Sequence, residues 1–293
     1  MVAETDSAVN EGRGKVVARG PGIGDDRMVS RTGRRTYDHA DFEAASLAEA
    51  RRGRTISVCL PARDEEKTVG VIVGSVRRAL VAGGGGVDLV DEVLVIDDGS
   101  TDGTAPAATA AGARVVAAGG AGGGKGQALQ VAMAEARGDL LVFLDADVEN
   151  FGPHFVTGLL GPLLTDDEVA LVKGFYERPV EGSSAGGGRV TELVARPVID
   201  LLFPDLAGVK QPLAGETAAP RSVLEKTGLD RDYGIELGLL IDVADRFGVE
   251  AVAQVDLGVR IHRNRPLAEL RPEATDVLRA ALRRVLPPGA LPG

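Results

Sequence analysis

The stretch Gly138-Asp139-Leu140-Leu141-Val142-Phe143-Leu144-Asp145-Ala146-Asp147 decides the reading of this chain. A turn feeds five apolar residues, a run too short for a helix and closed at once by acids, which is the pattern of a short, fully buried strand. In open α/β sheets ligands bind in the crevice outside the carboxyl ends of the strands, and Asp145 and Asp147 sit at such an end. Carboxylates at i and i+2 can share one divalent cation. Oxygen donors of this kind suit Mg²⁺ or Mn²⁺ bound together with phosphates. Taken by itself the motif could equally be a solvated loop.

Working outward, the flanking sequence repeats a strand-then-helix rhythm, which predicts a mainly parallel sheet flanked by helices. Strands are expected at Ile56 to Leu60, Val93 to Ile96, Ala113 to Val116 and Leu140 to Leu144. Helices are expected from about Lys67 to Val81, from near Thr101, and from Gly126 to Ala136. Tyr37 to Arg52 reads as a short helix leading into the core. Beyond Asp147 the rhythm loosens. A strand at Val169 to Val172, a glycine-rich loop at Gly182 to Gly188 and helices at Val190 to Phe203 and Gly234 to Phe247 are expected there. A strand at Ala251 to Val255 and a final helix near Leu267 to Val285 complete the pattern. Residues 1–35 mix Gly, Ser, Asp and Arg without apolar periodicity and are expected to form a disordered tail.

Composition narrows the function. The 293 residues, 44% hydrophobic, suffice for a sizeable core. With 43 acidic against 33 basic residues, nucleic acid is an unsuitable main partner, because that binding is driven by basic surface. Local Arg and Lys could still hold a small anionic substrate. The single Cys59 lies in the apolar run Ile56 to Leu60, so it reads as core, and neither a disulfide framework nor a Cys-based zinc site can be built. No run approaches the roughly 18 apolar residues of a membrane span, and no signal-peptide pattern opens the chain, so a soluble, cytoplasmic protein is expected.

Other strand ends carry polar residues. The first strand leads into Pro61-Ala62-Arg63-Asp64-Glu65-Glu66, whose acids could simply favour a helix N-terminus. The second leads into Asp97-Asp98-Gly99-Ser100-Thr101-Asp102-Gly103-Thr104. Ser100 or Thr101 would make a good N-cap there. Two adjacent Asp where the strand stops would also satisfy a base with N–H donors, such as uracil or guanine. Gly119-Gly120-Ala121-Gly122-Gly123-Gly124-Lys125-Gly126 has the spacing of a phosphate-cradling loop up to its Lys. A P-loop NTPase would need Ser or Thr next, to reach the metal, and Gly126 stands there. Lys125 could still serve a diphosphate as a point charge beside backbone N–H groups.

Together the segments at Pro61 to Glu66, Asp97 to Asp102 and Asp145 to Asp147 resemble the GT-A family of nucleotide-sugar glycosyltransferases. The carboxyl-terminal half is similar to the actinobacterial glucosyl-3-phosphoglycerate synthases. The resemblance lies in Gly186-Gly187-Gly188-Arg189-Val190-Thr191-Glu192-Leu193-Val194-Ala195-Arg196-Pro197 and Gln211-Pro212-Leu213-Ala214-Gly215-Glu216. It continues in Tyr233-Gly234-Ile235-Glu236-Leu237-Gly238-Leu239-Leu240-Ile241-Asp242 and Gln254-Val255-Asp256-Leu257-Gly258-Val259-Arg260-Ile261-His262-Arg263-Asn264-Arg265-Pro266. It runs from about Thr55 to the final helix.

The resemblance implies a Rossmann-like GT-A fold in which residues 36–174 bind the nucleotide sugar and a helical part of the same catalytic domain, 175–293, binds the acceptor. It implies a homodimer and a retaining, Mg²⁺- or Mn²⁺-dependent transfer of glucose from a nucleoside diphosphate to the 2-hydroxyl of 3-phosphoglycerate. UDP-glucose is the expected donor. Related enzymes that move mannose from GDP-mannose to the same acceptor are the alternative, and a non-catalytic nucleotide-sugar-binding protein is a further one. By resemblance Pro61, Ala62, Glu65, Asp98 and Lys125 face the nucleotide, Asp145 lies near the ribose and donor sugar, and Asp147 and His262 bind the metal. Gly188, Arg189, Thr191, Asn264 and Arg265 fall on the acceptor site, and Glu236 near the transferred sugar. These roles make chemical sense. The acceptor carries a carboxylate and a phosphate, and Gly187 to Thr191 offers N–H donors and a guanidinium, although glycines before a helix can also be only a hinge.

Overall fold

The computed structural model describes residues 35–119, 124–178, 188–261 and 267–291, the side chains of 267–269 excepted. Of the expected tail, 1–35, residues 1–34 lie outside the described residues. Arg35 is held: its carbonyl accepts the Gln254 amide at 2.9 Å and its Nε donates to Asp166 at 3.0 Å.

From the amino end come β1 (Thr36–Asp38), α1 (Ala44–Ala50), β2 (Ile56–Ala62), α2 (Val69–Leu80), β3 (Glu92–Asp97), α3 (Thr104–Ala110), β4 (Arg114–Ala117), α4 (Gly124–Glu135) and β5 (Leu140–Phe143). Then follow α5 (His154–Thr165), β6 (Leu171–Glu177), α6 (Arg196–Leu202) with a π turn before it at Thr191–Ala195, β7 (Thr217–Pro220), α7 (Arg221–Leu224), α8 (Ile235–Phe247), β8 (Val252–Val259) and α9 (Leu267–Val285).

Among the described residues eight strands make one sheet in the order β1-β8-β6-β7-β5-β2-β3-β4. All neighbours are parallel except where β7 runs antiparallel between β5 and β6. The mainly parallel sheet expected from the rhythm is thus present. Four elements were not foreseen: β1, β7, α5 and the one-turn α7. The expected helix over Tyr37 to Arg52 is divided, because Thr36 to Asp38 pair with Gln254 to Asp256 of β8. Asp38 then caps a short 3-10 turn, its carboxylate accepting the Ala40 amide at 2.9 Å. Helix α5 is buried almost all round, with glycines at the contacts where the ring of Phe42 and the Cβ of His39 approach, so it shows no amphipathic stripe.

Side-chain alternation splits the core into two layers. Ile56, Val58, Leu60, Leu140 and Val142 pack with α1, α2 and α5, while Cys59, Leu141 and Phe143 pack with α4, α8 and α9 on the other face. Cys59 is fully buried, and burial pushes its thiol far above the ordinary range, in keeping with an inert core residue.

The topology places the site. Strand order runs outward from β2 through β3 to β4 on one side, then reverses to β5 on the other, and a crevice opens at the carboxyl ends where the order reverses. Because β7 is antiparallel, its first residue, Thr217, lies beside Phe143 at the end of β5. The residues just before β7 therefore reach the same crevice as those just after β5, β6 and β8.

Candidate active site

The loops after β2 and β3 are laced together. Asp64 accepts from the Thr101 amide at 2.8 Å, Asp102 from the Glu66 amide at 3.1 Å, and Glu66 from the Gly103 amide at 2.9 Å. Asp102, rather than Ser100 or Thr101, satisfies the first amide of α3 by accepting from Thr104 at 2.9 Å, while Ser100 accepts from the Asp64 amide. Asp98 is anchored through its backbone, its amide donating to Ala62 at 2.9 Å. The Asp98 side chain is buried, with Oδ1 lacking a partner among the described residues. A buried acceptor left open beside Pro61 and Ala62 is what an N–H-bearing base would complete. Glu65 follows in the same loop, its amide donating to the Thr104 hydroxyl at 2.8 Å.

The acids after β5 meet two cations. Lys125 Nζ lies 2.7 Å from Asp145 Oδ1 and 2.7 Å from Glu236 Oε1, which is buried in the first turn of α8. Arg260 Nη2 reaches Asp145 Oδ2 at 3.0 Å and Asp147 Oδ1 at 2.6 Å. Burial alone would raise the Asp145 carboxyl, but Lys125 and Arg260 outweigh it and hold the group well below the usual carboxylate range. Burial likewise opposes the charge on Lys125, and Asp145 with Glu236 restores it. Behind Arg260 lies Glu216, fully buried, 3.2 Å from Nη1 but without a well-directed hydrogen bond to either oxygen; burial raises its carboxyl.

Two glycines are imposed by these contacts. A Cβ on Gly215 would lie 2.5 Å from Lys125 Nζ and collide with Asp145 Oδ1. A Cβ on Gly126 would strike the backbone of Asp230 and Arg231, whose carbonyl accepts the Gln127 amide at 3.1 Å. Close packing thus excludes the Ser or Thr that a P-loop needs after its lysine.

Of the residues expected to hold the acceptor, Gly188 and Thr191 stand together, Thr191 buried and Arg189 exposed. His262, Asn264 and Arg265 lie outside the described residues, as do positions 120–123 and 179–187.

Among the described residues no three His, Cys, Asp or Glu form a metal cage. Mg²⁺ itself keeps water and takes one or two carboxylates plus substrate phosphate rather than an all-protein cage. Asp147 supplies a hard oxygen donor at the crevice, and its side chain is 27% exposed.

Sequence reasoning left Arg260 as one basic residue among several, and missed Glu216, Lys173, Tyr176 and Arg178. Lys173 had a signal, being a lone charge inside the apolar run Leu171-Val172-Lys173-Gly174-Phe175. It is 1% exposed and donates to the Ala214 carbonyl at 2.5 Å and to Thr217 Oγ1 at 3.1 Å.

Comparison with known proteins follows the same geometry. A family model described as glycosyl transferase family 2 matches residues 57–196. The chain is 49% identical over 263 residues to the glucosyl-3-phosphoglycerate synthase of Mycolicibacterium paratuberculosis, covering 85% of this chain and 78% of that protein. Solved structures of the Mycobacterium tuberculosis glucosyl-3-phosphoglycerate synthase are also similar. The complex with Mg²⁺ and uridine diphosphate aligns with a TM-score of 0.78 at 45% identity, covering 87% of this chain and 88% of that one. The complex with Mn²⁺, uridine diphosphate and glucosyl-3-phosphoglycerate aligns with a TM-score of 0.76 at 46% identity, covering 85% and 87%.

Proposed function

The chain belongs to the glucosyl-3-phosphoglycerate synthases of glycosyl transferase family 2, and from that premise we propose how its residues perform the transfer. The fold is GT-A. The reaction is the metal-dependent, retaining transfer of glucose from UDP-glucose to the 2-hydroxyl of 3-phospho-D-glycerate. The observation that carries the assignment to this chain's residues is the meeting of Asp145, Lys125, Glu236 and Arg260 at the carboxyl end of β5.

In this reading Pro61, Ala62, Glu65 and Asp98 bind the nucleoside, and the open Oδ1 of Asp98 receives a base N–H. Asp147 holds the divalent cation, with His262 as its second protein ligand. A bound Mg²⁺ or Mn²⁺ supplies Lewis-acid neutralisation of the diphosphate leaving group. Lys125 adds a preorganised positive charge, fixed in place by the two acids that flank it. Asp145 and Glu236, on either side of that ammonium, orient the sugar. Gly188, Arg189, Thr191, Asn264 and Arg265 hold the acceptor so that its hydroxyl meets the anomeric carbon on the face the diphosphate leaves, and proximity supplies much of the rate.

The division into a nucleotide-sugar half at 36–174 and an acceptor half at 175–293 is part of the same proposal. No helix among the described residues is long and apolar enough to cross a membrane. Cytoplasmic residence is proposed, checked by cell fractionation. A homodimer is proposed on the resemblance and on two exposed leucines, Leu193 in the π turn at 72% and Leu201 in α6 at 81%. Light scattering checks it.

The deciding assay offers UDP-, ADP- and GDP-linked glucose and mannose with 3-phosphoglycerate, with and without Mg²⁺ or Mn²⁺. Phosphorylated glucoside from UDP-glucose with metal is expected; absence of product from every donor sinks the enzyme reading. Product only from GDP-mannose would transfer the assignment to the mannosyl enzymes.

A further inference from the structure

Tyr176, the penultimate residue of β6, binds two guanidinium groups through one phenol oxygen. Arg178 Nη2 donates to it at 2.9 Å and Arg260 Nη1 at 2.6 Å, and each Cζ lies 5.1 Å from the ring centroid. Two like charges gathered on one neutral oxygen are costly unless each has its own counter-charge. Arg260 has three, in Asp145, Asp147 and Glu216. Among the described residues no carboxylate pairs with Arg178, and its Nε is buried without a hydrogen-bond partner.

The Nη1 side of Arg178 faces Gly188 and Thr191, the expected acceptor residues. Its Nη1 lies 2.8 Å from the point where a Cβ on Gly188 would stand, and Thr191 Oγ1 lies 3.5 Å from the same point. A side chain at position 188 would press on the guanidinium. The clamp on Nη2 and the stacking against Tyr176 fix the fork in advance, so little rotamer freedom is lost when an anion arrives.

We infer that Arg178 is a specificity-determining residue for the acceptor, its guanidinium taking one anionic group, carboxylate or phosphate monoester, beside Gly188 and Thr191. The inference rests on the proposed reaction and adds a contact to it. Through Tyr176, Arg178 and Arg260 share one anchor.

The test uses the full chain with Arg178→Met and Arg178→Lys. Steady-state kinetics with UDP-glucose and Mn²⁺ are expected to show KM for 3-phosphoglycerate raised about thirtyfold in the Met variant, the scale of one charge-assisted contact. KM for UDP-glucose stays within about twofold of wild type on the same reasoning. Calorimetric binding of 3-phosphoglycerate weakens in parallel, and Lys, which keeps the charge and loses the fork, recovers part of the loss. D-glycerate separates the two anions: unchanged use of it assigns Arg178 to the phosphate, a parallel loss assigns it to the carboxylate. An unaltered KM and binding constant for 3-phosphoglycerate in a Met variant that melts like wild type overturns the inference alone. If the Met variant does not fold, the same readings on the Lys variant decide. A wild type inactive with 3-phosphoglycerate from every donor overturns the reaction and the inference together.

Discussion

Asn150 accepts a hydrogen bond from the Ile261 amide at 2.8 Å and, through its side-chain N–H, donates one to the Val259 carbonyl at 2.7 Å. The neighbouring Glu149 amide donates to the Ile261 carbonyl at 3.0 Å. The loop that begins at Asp145 is thus stapled to the backbone on both sides of Arg260, and His262 follows one residue later in sequence. Side-chain bonds of this kind contribute about 0.5–1.5 kcal/mol each. Asn150→Ala is expected to weaken binding of Mn²⁺ in the presence of UDP about tenfold, the loss of roughly one such bond or two. Paramagnetic resonance of free Mn²⁺ measures it; wild-type affinity in the variant would show that the staple does not set the metal geometry.

Glu236→Gln tests the role of the buried acid beside Lys125. The amide keeps the shape and an oxygen for Lys125 while removing the charge. Binding of UDP-glucose is expected to stay near normal and turnover to fall by roughly a hundredfold, the scale of a lost electrostatic contact at a transition state. A glycosyl adduct on Glu236, sought by intact-mass spectrometry, would replace same-face attack by double displacement.

Gly215→Ala inserts a methyl group between Asp145 and Lys125, where the added carbon would lie 2.5 Å from Nζ and overlap Oδ1. The ion pair must part, and kcat is expected to drop by about a hundredfold or more while far-ultraviolet dichroism remains that of the wild type. Wild-type turnover in the alanine variant would show that the pair is not needed closed.

What could be read beforehand follows from range. Asp145, Asp147 and the strands β2 and β5 were legible because an apolar run and the acids that end it are local signals. Lys125 was legible through its glycine run. Strand β7 was not, since Thr217 to Pro220 is four residues whose antiparallel place depends on the registers of β5 and β6, each more than 40 positions away. Helix α5 hid behind Gly158, Gly161 and Pro162, which spoil a helical pattern, though the two glycines are required where His39 and Phe42 pack close. Arg178 and Tyr176 were passed over because a guanidinium without an acid reads as ordinary surface until Arg260 is placed on the same phenol.

Lys173 gives the chain a pH signature. Burial lowers its ammonium from 10.5 to about 8, with Glu236, Glu216 and Asp145 opposing that fall and Lys125 adding to it. The unfolded chain keeps this proton to a higher pH than the folded one, so between these values the unfolded state binds more protons and stability rises with pH. Below about pH 8 both states are protonated and the burial penalty is felt in full. From pH 7.5 to 9.5 the relief amounts to about 2 kcal/mol. Tyr176, pushed up to about 12 by burial, acts in the opposite sense only above its ordinary value of 10.0, so the scan ends before it contributes. Lys173→Met removes the group and its bonds to the Ala214 carbonyl and Thr217 hydroxyl, leaving that carbonyl only the 3.4 Å bond from Thr217. Urea denaturation across this range is expected to show wild type gaining stability relative to the variant as pH rises; parallel profiles would mean that Lys173 titrates near its ordinary value despite its burial.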